Sequence, residues 1–140
     1  MNWLYALVIP IIVVGIGAAT LNISSEERVY SVEQALNNYQ ELKDDSIILK
    51  GEIVQGESVC TQVYCGPENP CCNSCSASIN LRNGTDIALT GEEIGCSGNS
   101  CSLNCKPVEG KIYRVEGEMQ NQNGRKSFRV SDYEEVAVDS

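Results

Sequence analysis

The chain of 140 residues contains no histidine. Without an imidazole, no side chain has an ordinary pKa suited to base chemistry near neutral pH, and zinc loses its commonest nitrogen ligand. Aromatic groups are also scarce, with one tryptophan, one phenylalanine and six tyrosines. Ten lysines and arginines face nineteen aspartates and glutamates, for a net charge of −9. A single-stranded nucleic-acid site needs stacking platforms in a basic groove, and phosphate backbones repel an acidic chain. Nucleic acid is therefore not an expected partner. The acidic pairs Asp44-Asp45, Glu92-Glu93 and Glu134-Glu135 fall at turns or segment ends, where solvated charge is the ordinary role. No catalytic constellation emerges, and the chain does not read as an enzyme.

Charge is missing altogether before Glu26. In its place, Trp3 to Leu21 forms a nearly unbroken apolar run. A helix of about 19 residues spans roughly 28 Å, enough to cross a hydrocarbon core, and membrane helices tolerate a kink such as Pro10 would give. This segment reads as an uncleaved transmembrane anchor over residues 1–22. The alternative is a signal peptide cut at Gly17-Ala18-Ala19, which would leave a secreted or periplasmic protein. Against it, no basic residue precedes the run and the run is long. No cysteine follows closely enough for a lipid anchor. Residues 23–30 read as a polar linker. Trp3, Tyr5, Gly15 and Gly17 would give the anchor an interfacial belt and a small-residue packing face.

All eight cysteines lie between Cys60 and Cys105: Cys60, Cys65, Cys71, Cys72 and Cys75, then Cys96, Cys101 and Cys105. An even count in a small exported domain reads as a disulfide framework. Groups of five and three impose parity: if all pair, an odd number of bridges crosses between them. Neighbouring Cys71 and Cys72 should each find another partner, because a bond between them would close a strained ring. The pairing itself stays open. Metal is the alternative, with Cys72, Cys75, Cys96 and Cys101 as zinc ligands, but there is no second Cys-x-x-Cys. Thiol exchange at Cys72 and Cys75 is a further alternative. Disulfides imply that the domain faces away from the cytosol, and the sequons at Asn22 and Asn83 agree with that side.

Ser31-Val-Glu-Gln34 is a capping box, and Val32, Ala35, Leu36, Tyr39 and Leu42 recur at helical spacing behind it. Five strands follow, over residues 46–55, 76–82, 85–91, 111–120 and 126–133. Alternation marks Ala77, Ile79 and Leu81, then Ile87 and Leu89, as inward residues. Tyr113, Val115 and Met119 continue the pattern, followed by Phe128 and Val130. Asn83-Gly84 and Asn123-Gly124 are hairpin turns, and Gly51 suggests a bend or bulge in the first strand. The expected fold is mainly β: a five-stranded barrel of OB-fold type over residues 31–138, with an N-terminal helix and the anchor ahead of it. Cysteine-rich insertions occupy residues 58–76 and 92–108, the second where many such folds place a helix. A crossing disulfide would join the two into one cap.

The stretches S-V-E-Q-A-L from Ser31, D-D-S-I-I-L-K-G-E-I-V from Asp44, E-G-K-I-Y-R-V-E-G-E-M from Glu109 and S-F-R-V from Ser127 resemble small exported bacterial OB-fold proteins (BOF-like, tRNA-anti-like). The likeness covers roughly residues 31–57 and 77–135 and implies the fold, with binding of small or cationic ligands. That group does not depend on a cysteine framework, so the cap is a departure. The chain is also similar to the membrane-anchored haem chaperone of cytochrome c maturation, which joins an N-terminal helix to an OB-fold. That similarity implies haem attachment through a histidine, which is absent here, or in a variant through a cysteine, with a tyrosine four residues on, and Cys60 and Tyr64 meet the variant's spacing. However, they lie in the first loop and not after the last strand.

The expected function is a membrane-anchored, extracytoplasmic binding module. It would contact a protein partner or serve as an accessory subunit of a membrane complex, without a cofactor. The alternative is a metal- or haem-binding or redox protein that uses the cysteine cluster, with zinc or haem bound.

Overall fold

A computed structural model describes residues 27–138 of the chain. The proposed anchor and most of the linker, residues 1–26, lie outside the described residues. Among the described residues no helix is long and apolar enough to cross a membrane.

The first element is a short strand, β1 (Val29–Tyr30), inside what the sequence suggests is linker. It runs parallel to the next strand, Val29 opposite Ile48 and Tyr30 opposite Leu49. The capping box then forms as expected: the Gln34 amide donates to Ser31 Oγ at 3.1 Å, and the Ser31 amide donates to Gln34 Oε1 at 2.9 Å. The single expected helix is instead two short ones, α1 (Val32–Asn37) and α2 (Tyr39–Leu42). Asn38 divides them. Its backbone leaves the helical region, and its side-chain amide donates to the Gln34 carbonyl at 2.9 Å, the local competition that makes asparagine a poor helix interior. Val32, Ala35 and Leu42 still pack into the core, so the apolar face persists across the break in the helix.

The rest is β: β2 (Ser46–Cys60), β3 (Ser74–Asn83), β4 (Thr85–Thr90), β5 (Gly95–Asn99), β6 (Ser102–Lys106), β7 (Ile112–Gln122) and β8 (Arg125–Glu135). All strands join one sheet in the order β1-β2-β7-β8-β4-β3-β5-β6, and an additional β2–β3 pairing turns five of them into a ring. The long β2 makes the ring possible. Its first half pairs with β7 from Ser46 to Glu52, and its second half pairs with β3 from Glu52 to Cys60. β4 and β8 close the ring side by side and parallel, Leu89 opposite Phe128.

Inward residues meet across strands, Leu49 opposite Val115, Ile53 opposite Leu81 and Met119 opposite Phe128. Leu49, Ile53, Ile79, Leu81, Val115 and Phe128 are fully buried, each worth about 1.5–3 kcal/mol on burial. The irregularity expected at Gly51 lies further on, between Gln55 and Ser58. Gly51 itself answers a close approach, since a Cβ there would come within 2.5 Å of the Arg82 carbonyl oxygen. A second register shift falls at Glu116 and Gly117, where any side chain on Gly117 would run into the Arg129 carbonyl.

The second cysteine group, expected as a cysteine-rich insertion where many OB-folds place a helix, holds a β-hairpin, β5–β6. Its turn is set by Asn99, whose Oδ1 accepts from the Cys101 and Ser102 amides at 3.0 Å each. Cys96 stands opposite Cys105, and a bridge between them locks the pair as strands.

Candidate functional site

Beyond the ring, the outer half of β2, the start of β3, and β5 and β6 continue as a four-stranded antiparallel sheet, a wing built from both cysteine groups. Its two outer junctions are cross-linked, and the central β3–β5 junction is held by backbone pairing alone. Cys60–Cys75 joins β2 to β3, and Cys96–Cys105 joins β5 to β6, each between residues directly opposite in register. Cys65–Cys72 closes the loop of residues 61–73 on itself, and Cys71–Cys101 fastens that loop to the β5–β6 turn. One bridge therefore crosses between the groups, an odd number as parity requires, and Cys71 and Cys72 have separate partners. Four disulfides suit an oxidising, extracytoplasmic compartment.

Asn73 organises the loop. Its Oδ1 accepts from the Val63 amide at 2.8 Å and from Thr61 Oγ1 at 3.1 Å. Its Nδ2 donates to the Val63 carbonyl at 3.2 Å, and its own carbonyl accepts from the Ser100 amide at 2.9 Å. A loop with this much internal bonding carries apolar side chains outward on a backbone that is already ordered before contact. Val59, Val63 and Tyr64 are 71%, 57% and 95% exposed.

The two faces of the wing differ. Alternation places Cys75, Ala77 and Cys96 on the inner face, where they are buried, with Leu103 and Cys105 packed against the core beside them. The outer face carries Ser74 and Ser76 from β3, Ser97 and Asn99 from β5, and Ser102 and Asn104 from β6, all exposed.

No family model, curated protein or solved structure matches this chain.

Each sequence-derived candidate has a definite place. Cys72, Cys75, Cys96 and Cys101, the alternative zinc set, belong to four different bridges, with Cys65, Cys60, Cys105 and Cys71. Cys60 and Tyr64, the alternative haem pair, are a bridged residue at the end of β2 and an almost wholly exposed ring on the loop. All eight sulfurs are consumed in bonds, so any ligation or exchange by them would start with reduction. The serine and asparagine face went unnoticed in the sequence. Its signal was present as period-two alternation of serine with cysteine or alanine in Ser74-Cys75-Ser76-Ala77-Ser78, repeated at Cys96-Ser97.

Among the described residues, carboxylates and cations meet in exposed pairs. Arg82 with Asp86, Lys111 with Glu135 and Arg114 with Glu27 each stand at 2.8 Å. Hydrogen bonds from the Arg82 guanidinium hold the Asp86 carboxyl below its ordinary range, with its positive charge acting the same way and burial opposing. Lys111 is raised by its hydrogen bonds to Glu135 and by that carboxylate's charge.

Proposed function

We propose that this chain is a membrane-anchored, extracytoplasmic module of OB-fold type, without a catalytic centre. Its disulfide-stitched wing contacts a partner protein within a membrane complex. The ring of five strands, with its long first strand shared between two neighbours, suits that fold class. The apolar run from Trp3 to Leu21 supports anchoring, and the bridges support the oxidising side.

The observation that carries the contact role is the exposure of Val59, Val63 and Tyr64 on a segment secured by two disulfides. Core packing does not require these side chains, and the rigidity around them has no use inside the ring. A preorganised aromatic with flanking aliphatics is the composition of an interface centre. The test is native mass spectrometry of the protein extracted from its own membrane. The expected species is the full-length chain in a defined complex with a second polypeptide. That complex should be lost on Tyr64→Ala combined with Val63→Ser, with all four bridges retained. A chain shortened by the apolar run, or a complex indifferent to those substitutions, would overturn the reading.

A further inference from the structure

The outer face of the wing is uncharged across its middle, on a molecule with a net charge of −9. Register aligns Ser76, Ser97 and Asn104 in one row across three strands. Ser74 and Ser102 flank the row, on either side of Asn99. Asn99 spends its side-chain oxygen on the β5–β6 turn. By contrast, Ser74, Ser76, Ser97, Ser102 and Asn104 have no hydrogen-bond partner for their side chains among the described residues. Strand spacing sets these groups about 4.8 Å apart across the sheet and about 6.8 Å along it. The row lines an open cleft of about 490 Å³, together with Ile94, Gly95 and the charged Glu93 and Lys106 and beside Ala77 and Cys96. That volume lies in the range of small-molecule sites, and serine hydroxyls and a carboxamide supply donors and acceptors together.

We infer that this cleft binds a neutral, hydroxyl-rich ligand, a saccharide. Sugar hydroxyls both donate and accept, as the serines and Asn104 do. A neutral polymer is not repelled by the acidic domain, whereas a sulfated or phosphorylated one is. The four strands beneath are bridged, so the array is already in place before a ligand arrives. An oxidising compartment is also where extended polysaccharide is met. This site is separate from the apolar loop residues and stands whether or not they hold a protein.

The experiment is a titration of the full-length, isotope-labelled chain in detergent, read by backbone amide shifts. The probes are maltopentaose, cellopentaose and chitopentaose, with a heparin oligosaccharide as the charged comparison. At least one neutral probe should shift the amides of Ser76, Ser97 and Asn104 in a saturable way, and heparin should not. Ser97→Glu, which sets a carboxylate in the middle of the row, should weaken that binding at least tenfold. Gln122→Glu, on the distant β7–β8 hairpin, should leave it unchanged. The disulfide map and melting temperature serve as the fold control for both variants. The inference fails if no neutral probe shifts the row or if the shifts fall on the ring. It also fails if heparin binds as well, or if Ser97→Glu folds and binds normally.

Discussion

Asp86 accepts two hydrogen bonds from Arg82, at 2.8 and 3.0 Å, on the open side of the β3–β4 hairpin. Its folded pKa is depressed, so its contribution to stability is present above the ordinary carboxylate value, about 3.9, and is lost as pH falls through the lower folded value. Both side chains are roughly half exposed, so solvent screens the pair and the contribution is small. Asp86→Asn should lower the urea midpoint slightly at pH 7, and the difference should shrink as pH falls below the ordinary carboxylate range and through the depressed folded value. A difference that stays constant on acidification would mean that the side chain acts through packing. Single residues also decide geometry here. Gly117 leaves room for the Arg129 carbonyl at the bulge, and Asn73, at one end of its loop, holds Val63 near the other end. The capping pair Ser31 and Gln34 was legible because its partners are three residues apart, whereas nothing in the sequence marks Asn73 among twelve asparagines.

Elements show the same division between local and distant information. Alternation in residues 77–81 and 113–119 named the buried side of β3 and β7, because a strand's face depends on its own period. The β5–β6 hairpin was not legible, since residues 95–106 combine glycine, serine and asparagine with cysteines whose partners the sequence leaves open. Pairing, and not propensity, makes those residues strands. The length of β2 was likewise hidden, as its last residues are exposed and gain a partner only when β3 returns beside them. The crossing bridge is the element-scale test of this view. Cys71–Cys101 spans 30 residues, so its removal restores about 3–4 kcal/mol of chain entropy to the unfolded state. Replacing both residues with serine should lower global stability by up to that amount. In the folded protein, hydrogen exchange should quicken in residues 61–73 and 99–102 and stay unchanged in β7 and β8. Uniform quickening would show that the bridge tensions the ring as well as the wing.

For the whole molecule, the division between ring and wing predicts two levels of stability. The ring's core is aliphatic and aromatic, from Leu49 to Phe128, and the wing's Cys96 packs at its edge. With the wing segments 57–76 and 95–106 set aside, the rest of residues 27–138 is still longer than the roughly 55–65-residue domains that fold without covalent help. The wing has no comparable core. Its outer face is exposed, and its inner face offers little beyond Ala77, Leu103 and the cysteines themselves. Covalent bonds therefore stand in for buried area, the same exchange by which very small secreted domains hold together. Full reduction should accordingly melt the wing and spare the ring. Amides in β7, β8 and the first half of β2 should remain protected after reduction and alkylation, while those in residues 57–76 and 95–106 exchange at the rate of an unfolded chain. The far-ultraviolet circular dichroism signal should fall only in part, and a cooperative thermal transition should survive at lower temperature. Loss of all protection together would mean that ring and wing form one cooperative unit, and that the disulfides belong to the fold as a whole.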